Sequence, residues 1–248
     1  KLSESNARLR IIMLSDSNLS DCILPDSLSM AVPNAIITAG TFSKEYYLAL
    51  QSLNCPTISL DTHPDLVFDR MVFDIVLVDN MGGSYAMTKH LIEKGHKQIC
   101  FAGNIESCLS FHERWQGFNL CMQEFGLPVE PDKQLISLPA QSYFNCDEIE
   151  RQLKTFDKLP TAFVCANDDT AKTFLALQNP PYSFLPADVS VTGFDNITEY
   201  FHFLSHCSTV EIHTHDIGLT VAEQVMWRIS HPKRQYQTIR LAVSPVFR

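Results

Sequence analysis

The stretch Asp74-Ile-Val-Leu-Val-Asp-Asn-Met-Gly-Gly-Ser-Tyr-Ala-Met-Thr-Lys-His-Leu-Ile-Glu-Lys-Gly-His-Lys-Gln-Ile-Cys-Phe-Ala-Gly-Asn104 changes its period twice. Asp74–Val78 has a short apolar run, Ile75–Val78, with no polar alternation. Ser84–Lys94 has the spacing of an amphipathic helix, and Gln98–Ala102 is again apolar after its first residue. Two strands covered on both faces, joined by a helix, make a parallel pair with a right-handed crossover.

The same alternation extends in both directions. Further strands are predicted at Leu9–Leu14, Ala35–Thr38, Thr57–Leu60, Leu135–Leu138, Ala162–Ala166 and Ser190–Gly193. Helices are predicted at Ser43–Leu53, His112–Phe125, Cys146–Thr155, Asp169–Gln178 and Asp216–Ile229. The pattern is irregular from Phe201 to Thr214, and Thr238–Val243 reads as a final strand. The fold class is therefore α/β, with mainly parallel sheets flanked by helices. No Gly/Ser-rich linker divides the chain, so two lobes would have to be joined by short ordered crossings.

Composition excludes several classes. The 248 residues are 45% hydrophobic and 19% charged, and 9 Gly with 13 Pro are too few for a collagen-like or disordered chain. No apolar run approaches the roughly 18–20 residues that a membrane span needs, so no membrane partner is expected. A net charge of −9 repels phosphate backbones, which argues against direct nucleic-acid binding by this part. The eight cysteines form no C-x-x-C pair, and Cys100 and Cys165 sit inside apolar runs. Reduced, buried thiols of a cytoplasmic protein fit this better than a disulfide framework.

In open α/β sheets, ligands bind beyond the carboxyl ends of the strands. The run Ile75–Val78 ends in Asp79-Asn80, Phe163–Ala166 ends in Asn167-Asp168, and Val189–Thr192 leads through Gly193-Phe194 into Asp195-Asn196. Ile99–Ala102 ends in Gly103-Asn104, and Arg114 follows in the next helix. Taken singly, such Asx residues are ordinary helix and turn caps. Three pairs in register with one arginine instead suggest a site for a neutral hydroxylated ligand, because carboxylates accept hydroxyl hydrogens and a guanidinium donates to a diol.

Other signals are weaker. There is no P-loop and no G-x-G-x-x-G after a strand, and no cofactor is called for. His213 and His215, with His202, His206 and Cys207 nearby, match no zinc signature, so solvated or capping histidines are the expectation and no metal is. Ser205 and Ser208 lack a nucleophile elbow, and Asp79 with Asp195 as an acid–base pair of a sugar enzyme is the lesser reading, so no catalytic residue is assigned. Trp115 and Phe118 are read as core.

The motifs themselves carry a resemblance. Val78-Asp-Asn-Met-Gly-Gly-Ser-Tyr-Ala-Met-Thr-Lys-His-Leu-Ile-Glu-Lys-Gly-His96 resembles the V-D-N-x-x-G-x-x-A-x-x-H-L-I-x-x-G-H segment of the LacI/GalR family. Glu113-Arg-Trp-Gln-Gly-Phe118 is similar to its R-x-x-G-F element. Pro160-Thr-Ala-Phe-Val-Cys-Ala-Asn-Asp168 with Ala171 resembles its P-T-A…N-D-x-x-A element. Pro186-Ala-Asp-Val-Ser-Val-Thr-Gly-Phe-Asp195 is similar to P-x-D-I-S-V-x-G-F-D, and Ser208-Thr-Val210 with Ile217-Gly218 resembles the closing T-T-V…L-G. Together these cover about residues 9–245.

This resemblance implies two similar lobes of the periplasmic-binding-protein type, with a ligand cleft between them. Residues 1–79 with about 213–235 would form the N-terminal lobe, lacking its first strand. About 81–210 with 238–248 would form the C-terminal lobe. Carried over by position, Asp79, Arg114, Asn167 and Asp195 are the implied ligand-binding residues, with Ser110 and Thr41 as fainter matches. An aromatic that stacks on the ligand falls near Pro139–Phe144, where either Tyr143 or Phe144 serves or Ala140 and Gln141 replace it.

The implied partners are a small effector (a sugar or sugar phosphate, less readily a purine), a second copy in a homodimer, and operator DNA through a helix-turn-helix headpiece outside this sequence. An extracytoplasmic solute-binding protein is the alternative. In the helix Asp216–Ile229, Val221, Val225 and Met226 suit either a partner or the lobe's own sheet.

Overall fold

A computed structural model describes residues 8–14, 19, 21–31, 33–40, 42–67, 73–138, 145–200, 202 and 205–248. In chain order these form α1 (Asp26–Met30), β1 (Ile36–Ala39), α2 (Lys44–Gln51), β2 (Thr57–Leu60), β3 (Asp74–Val78), α3 (Asn80–Glu93), β4 (Ile99–Ala102), α4 (Leu109–Glu124), α5 (Cys146–Leu153), β5 (Ala162–Cys165), α6 (Asp168–Leu177), β6 (Ser190–Thr192), β7 (Thr209–Glu211), α7 (Thr214–Ser230), β8 (Thr238–Leu241) and β9 (Ser244–Val246). They belong to two compact units, Lys1–Leu77 with His213–Leu241 and Val78–Ile212 with Ala242–Arg248.

In the first unit the strand order is β1-β2-β3-β8. β1 pairs parallel with β2, and β2 with β3. Ile58 and Val76 of the sheet pack against Val221 and Val225 of α7. Those two valines serve their own sheet, whereas Met226 and Ile229 of the same helix are exposed. Asp74 opens β3 with no exposed surface, and Arg228 of α7 closes on it through two short ion-pair bonds.

The first unit also departs from the sequence reading in two places. Leu9–Leu14 is not a strand: Leu9, Ile11 and Met13 stand exposed. Among the described residues β1 pairs only with β2 and forms the edge of the sheet. Thr238–Leu241, expected in the C-terminal lobe, lies instead beside β3 as β8. Gln237 anchors it there, accepting at its carbonyl from the Ile75 N–H (2.9 Å) and donating its own N–H to the Asp74 carboxylate (2.8 Å).

The second unit is built on the parallel sheet β4-β5-β6. Leu135 bridges to the free side of β4, and Ser208 and Glu211 bridge to Thr192 and Asp195 after β6. β7 pairs antiparallel with β9, where Pro245 opposes Val210. Proline is tolerated there because β9 is an edge. α5, α6 and the strands bury one apolar cluster containing Cys100, Phe163, Cys165, Phe174 and Cys207. A second cluster holds Phe101, Phe118 and Met122, with Trp115 packed against it, so the aromatics flanking Arg114 are core.

Among the described residues no cysteine is in a disulfide, and burial pushes the Cys100 and Cys207 thiols up to about 12. No helix among the described residues is long and apolar enough to cross a membrane.

Helices α3 and α4 approach closely because Gly117 lies in their contact, while Gly83 of α3 leaves room for the Phe194 ring. A Cβ at Gly117 would overlap the Met81 carbonyl, and one at Gly83 would stand 2.7 Å from the Phe194 ring. That approach brings the start of α3 onto one face of α4.

Candidate functional site

The site lies wholly within the second unit, where Asp79 and Asn80 open α3, Asn167 follows β5 and Asp195 follows β6. Asp79 caps α3, its Oδ1 accepting from the Gly82 N–H at 2.9 Å. Asn167 caps α6 in the same way, accepting from the Thr170 N–H (3.0 Å) and hydroxyl (2.7 Å). The helix caps expected of single Asx residues are therefore present, and they fix the two helix starts around the site.

Arg114 is the centre. It lies on α4 with Ser110 and Glu113, at i, i+3 and i+4 on one helix face. Its side chain is only 7% exposed. Nε donates to Asn80 Oδ1 at 2.9 Å, and Nη1 donates to the Ala166 carbonyl at 2.6 Å, next to Asn167. Nη2 stands 3.3 Å from Asp195 Oδ1. The guanidinium carbon sits 3.6 Å from the centroid of the Phe194 ring, a close cation–π contact. Asn80 in turn donates through Nδ2 to Ser110 Oγ (3.2 Å) and Glu113 Oε2 (3.1 Å).

Asp195 is held in an uncommon backbone state. Its φ is +107° and that of Asn196 is +51°, a region that costs non-glycine residues about 1–3 kcal/mol. The turn is clamped on several sides. Asp195 N–H donates to the Val210 carbonyl at 2.9 Å, Asn196 Nδ2 donates to Glu211, and Arg248 Nη2 donates to Asn196 Oδ1 at 2.8 Å. Burial pushes the Asp195 carboxyl up to about 6. The Arg114 charge opposes that shift, and the carboxylates of Asp168 and Asp169 add to it. Asp168 is fully buried and works structurally, accepting from Thr209 Oγ1 (2.7 Å) and the Ile197 N–H (2.8 Å). Burial raises its pKa as well.

Of the sequence candidates, Arg114, Asp195 and Ser110 thus meet in one network, with Asn167 and Asp79 each adjacent to one of its members. Thr41 and the segment Pro139–Phe144 lie outside the described residues. Among the described residues no group of three or more His, Cys, Asp or Glu side chains is arranged to hold a metal ion.

Sequence reasoning did not single out Asn80, Glu113 and Phe194 as parts of the arginine's setting. Each is adjacent in sequence to a candidate residue, which was the available signal. The result is a pair of opposite charges, mostly desolvated, beyond the ends of β5 and β6, with the guanidinium over an aromatic ring. It can donate from the guanidinium and accept at the carboxylate toward the same ligand.

Comparison with known proteins agrees with this architecture. The model of the periplasmic binding protein-like domain matches residues 88–248. The HTH-type transcriptional repressor PurR of Histophilus somni is 29% identical over 177 residues, covering 71% of this chain and 52% of that protein. PurR of Vibrio parahaemolyticus is 31% identical over 171 residues, covering 66% of this chain and 49% of the relative. The chain thus spans about half the length of these relatives.

Among solved structures, a LacI family transcriptional regulator from Enterococcus faecium with bound ribose has a TM-score of 0.75. It is 24% identical and covers 99% of this chain and 87% of that one. The Lac repressor bound to ONPG has a TM-score of 0.76 at 20% identity, covering 99% and 73% of the two chains. These structures share the fold. The chain belongs to the periplasmic binding protein-like domain family, as a core of the LacI/GalR type.

Proposed function

We propose that this chain is the effector-binding and dimerisation core of a bacterial, cytoplasmic, sugar-responsive transcription repressor, and not an enzyme. DNA binding would come from a helix-turn-helix segment outside this chain, as the names of its PurR relatives indicate for them. The chain's own charge of −9 suits a role away from the phosphate backbone. Effector occupancy would alter operator affinity through a coupling of about 1–3 kcal/mol.

The observation that carries this reading is the Arg114–Asp195 pair. The arginine's charge is already opposed by Asp195 at 3.3 Å and by Glu113 through Asn80. A phosphate would find little net positive charge there. A vicinal diol, giving a hydrogen to Asp195 and accepting from Arg114, fits better. The ribose bound in the Enterococcus faecium neighbour supports the sugar reading. Asn167 and Asp79 supply further polar edges, and Thr41 is retained as a contact on the resemblance alone. Met226 and Ile229, exposed on α7, are candidate contacts to a second copy.

A thermal-shift screen of sugars, sugar phosphates, polyols and purines tests the site. A ligand at about 100 times its dissociation constant adds about 2.7 kcal/mol and raises the midpoint by several degrees. The expected result is a neutral sugar whose shift disappears in Arg114→Ala. A hit that survives that substitution refutes the site, and a hit only among purines refutes the ligand class.

A further inference from the structure

The side chain at the start of α3 faces a charged group on each side. Asn80 has no exposed surface. One edge of its amide meets the Glu113 carboxylate, which when ionised only accepts hydrogen bonds, and the other meets Arg114 Nε, which only donates. A flipped amide would oppose oxygen to oxygen and N–H to N–H. The orientation is therefore fixed by chemistry, with Nδ2 toward Glu113 and Ser110 and Oδ1 toward Arg114.

We propose that Asn80 is the positioning residue of this site: its amide, locked by Glu113, holds the Arg114 guanidinium over the Phe194 ring with Nη2 turned to Asp195. This rests on the reading of Arg114 and Asp195 as the ligand-binding pair. Asn80 itself need not touch the ligand. Its position is set by the Asp79 cap and by the close α3–α4 approach at Gly117, so two helices aim one arginine. Without an acceptor for Nε the guanidinium keeps its Ala166 carbonyl, its ring contact and the single 3.3 Å contact to Asp195, and nothing on the Nε side then fixes its rotation. The groups that bear on the Asp195 carboxyl are Arg114 from α4 and Asp168 and Asp169 from α6, with Glu211 of β7 bridged to its backbone. Of these, only Arg114 favours ionisation.

The test uses two variants of the full chain. In Asn80→Ala the acceptor is lost. In Asn80→Asp combined with Glu113→Gln, amide and carboxylate exchange places, so Nε keeps an acceptor and the total charge is unchanged. Two NMR readouts need no ligand: the Arg114 Nε–Hε resonance, and the titration of the Asp195 carboxyl followed by carbon chemical shift. The expected result is that Asn80→Ala broadens the Nε–Hε signal by exchange and moves the Asp195 titration above about 6, while the exchanged pair restores both.

For any sugar identified in the screen, affinity falls about tenfold or more in Asn80→Ala, the worth of one lost charge-assisted bond, and recovers in the double variant. An unchanged Nε–Hε signal and titration in Asn80→Ala overturn the proposal. Equal damage in both variants overturns it too, since Asn80 would then act only through the fold. If the NMR results hold and no sugar binds the unmodified chain, the reading of function fails and the positioning role stands.

Discussion

The chain contains two arginine–aspartate pairs that differ in how completely they are closed. Arg228 and Asp74, in the first unit, meet through Nη2–Oδ1 at 2.6 Å and Nε–Oδ2 at 2.7 Å, with side chains 2% and 0% exposed. Every nearby polar group adds to the closure. Gln224 donates to Asp74 at 2.9 Å, and the remaining Arg228 donors reach the carbonyls of His231, Arg234 and Gln235. Arg114 and Asp195 touch once, at 3.3 Å, and the Asp195 side chain remains 22% exposed. A saturated pair has nothing left to offer a ligand. An incompletely satisfied one, with its carboxyl pushed up to about 6, has spare acceptor and donor capacity and gains from whatever completes it.

The contrast is broken most severely by Arg228→Ala. It leaves the fully buried Asp74 carboxylate without its cation and costs about 3–5 kcal/mol, read by urea denaturation. Replacing both partners, Asp74→Leu with Arg228→Met, removes the buried charges together and is expected to recover most of that loss. Sugar binding in the double variant stays intact, because that pair has no part in the site. A loss of binding as large as the loss of stability would show that the two pairs are not separable in this way.

The second pair responds in the opposite sense. An acid whose folded pKa is raised holds its proton more tightly in the folded chain. The Asp195 contribution to stability therefore grows as pH falls from about 6 to about 4, and above about 6 it is a cost of up to about 3 kcal/mol. Asp195→Asn imitates the protonated form. It is expected to stabilise the unliganded chain by about 1–3 kcal/mol at neutral pH, to flatten the pH dependence between those limits, and to abolish sugar binding. Denaturation curves at several pH values separate these effects. A destabilised Asp195→Asn chain would mean that Arg114 depends on this carboxylate as much as Arg228 depends on Asp74.

Sequence pattern reached the two pairs unequally, for a physical reason. The strand–helix alternation was legible because each run carries its own period, and Arg114 and Asp195 were legible because parallel sheets expose their carboxyl ends. Asp74 and Arg228 are 154 positions apart, and nothing local in either neighbourhood marks the contact. Asn80 and Glu113 were hidden for a related reason. Their bond depends on a helix–helix distance set by the absence of a side chain at Gly117. The strands β7 and β9 have three residues each, too few to display a period, and Leu9–Leu14 is an apolar run that forms no strand and leaves Leu9, Ile11 and Met13 exposed, so local pattern alone does not make a strand.

A smaller effect refines the comparison at Arg114 itself. Arg114→Lys keeps the charge but loses the guanidinium's 3.6 Å contact with the Phe194 ring and the separate Nε bond to Asn80. Stability is expected to fall by about 1–2 kcal/mol, one or two hydrogen bonds' worth, while sugar affinity falls more steeply because geometry rather than charge has been removed. Retained affinity would assign recognition to the charge alone and remove the reason for Asn80 to aim it.

The smallest expected change separates capping from recognition at Asp79. Its Oδ1 accepts from the Gly82 N–H, and an asparagine side chain keeps that acceptor, so Asp79→Asn should cost at most a few tenths of a kcal/mol, whereas Asp79→Ala should cost about 1 kcal/mol. Ligand affinity need not follow that order. A carboxylate that accepts a sugar hydroxyl loses an acceptor oxygen in Asp79→Asn while the cap survives. Weaker sugar binding in Asp79→Asn at unchanged stability would place Asp79 on the ligand. Parallel small losses of stability and affinity across both substitutions would confine it to holding the start of α3, one residue before Asn80.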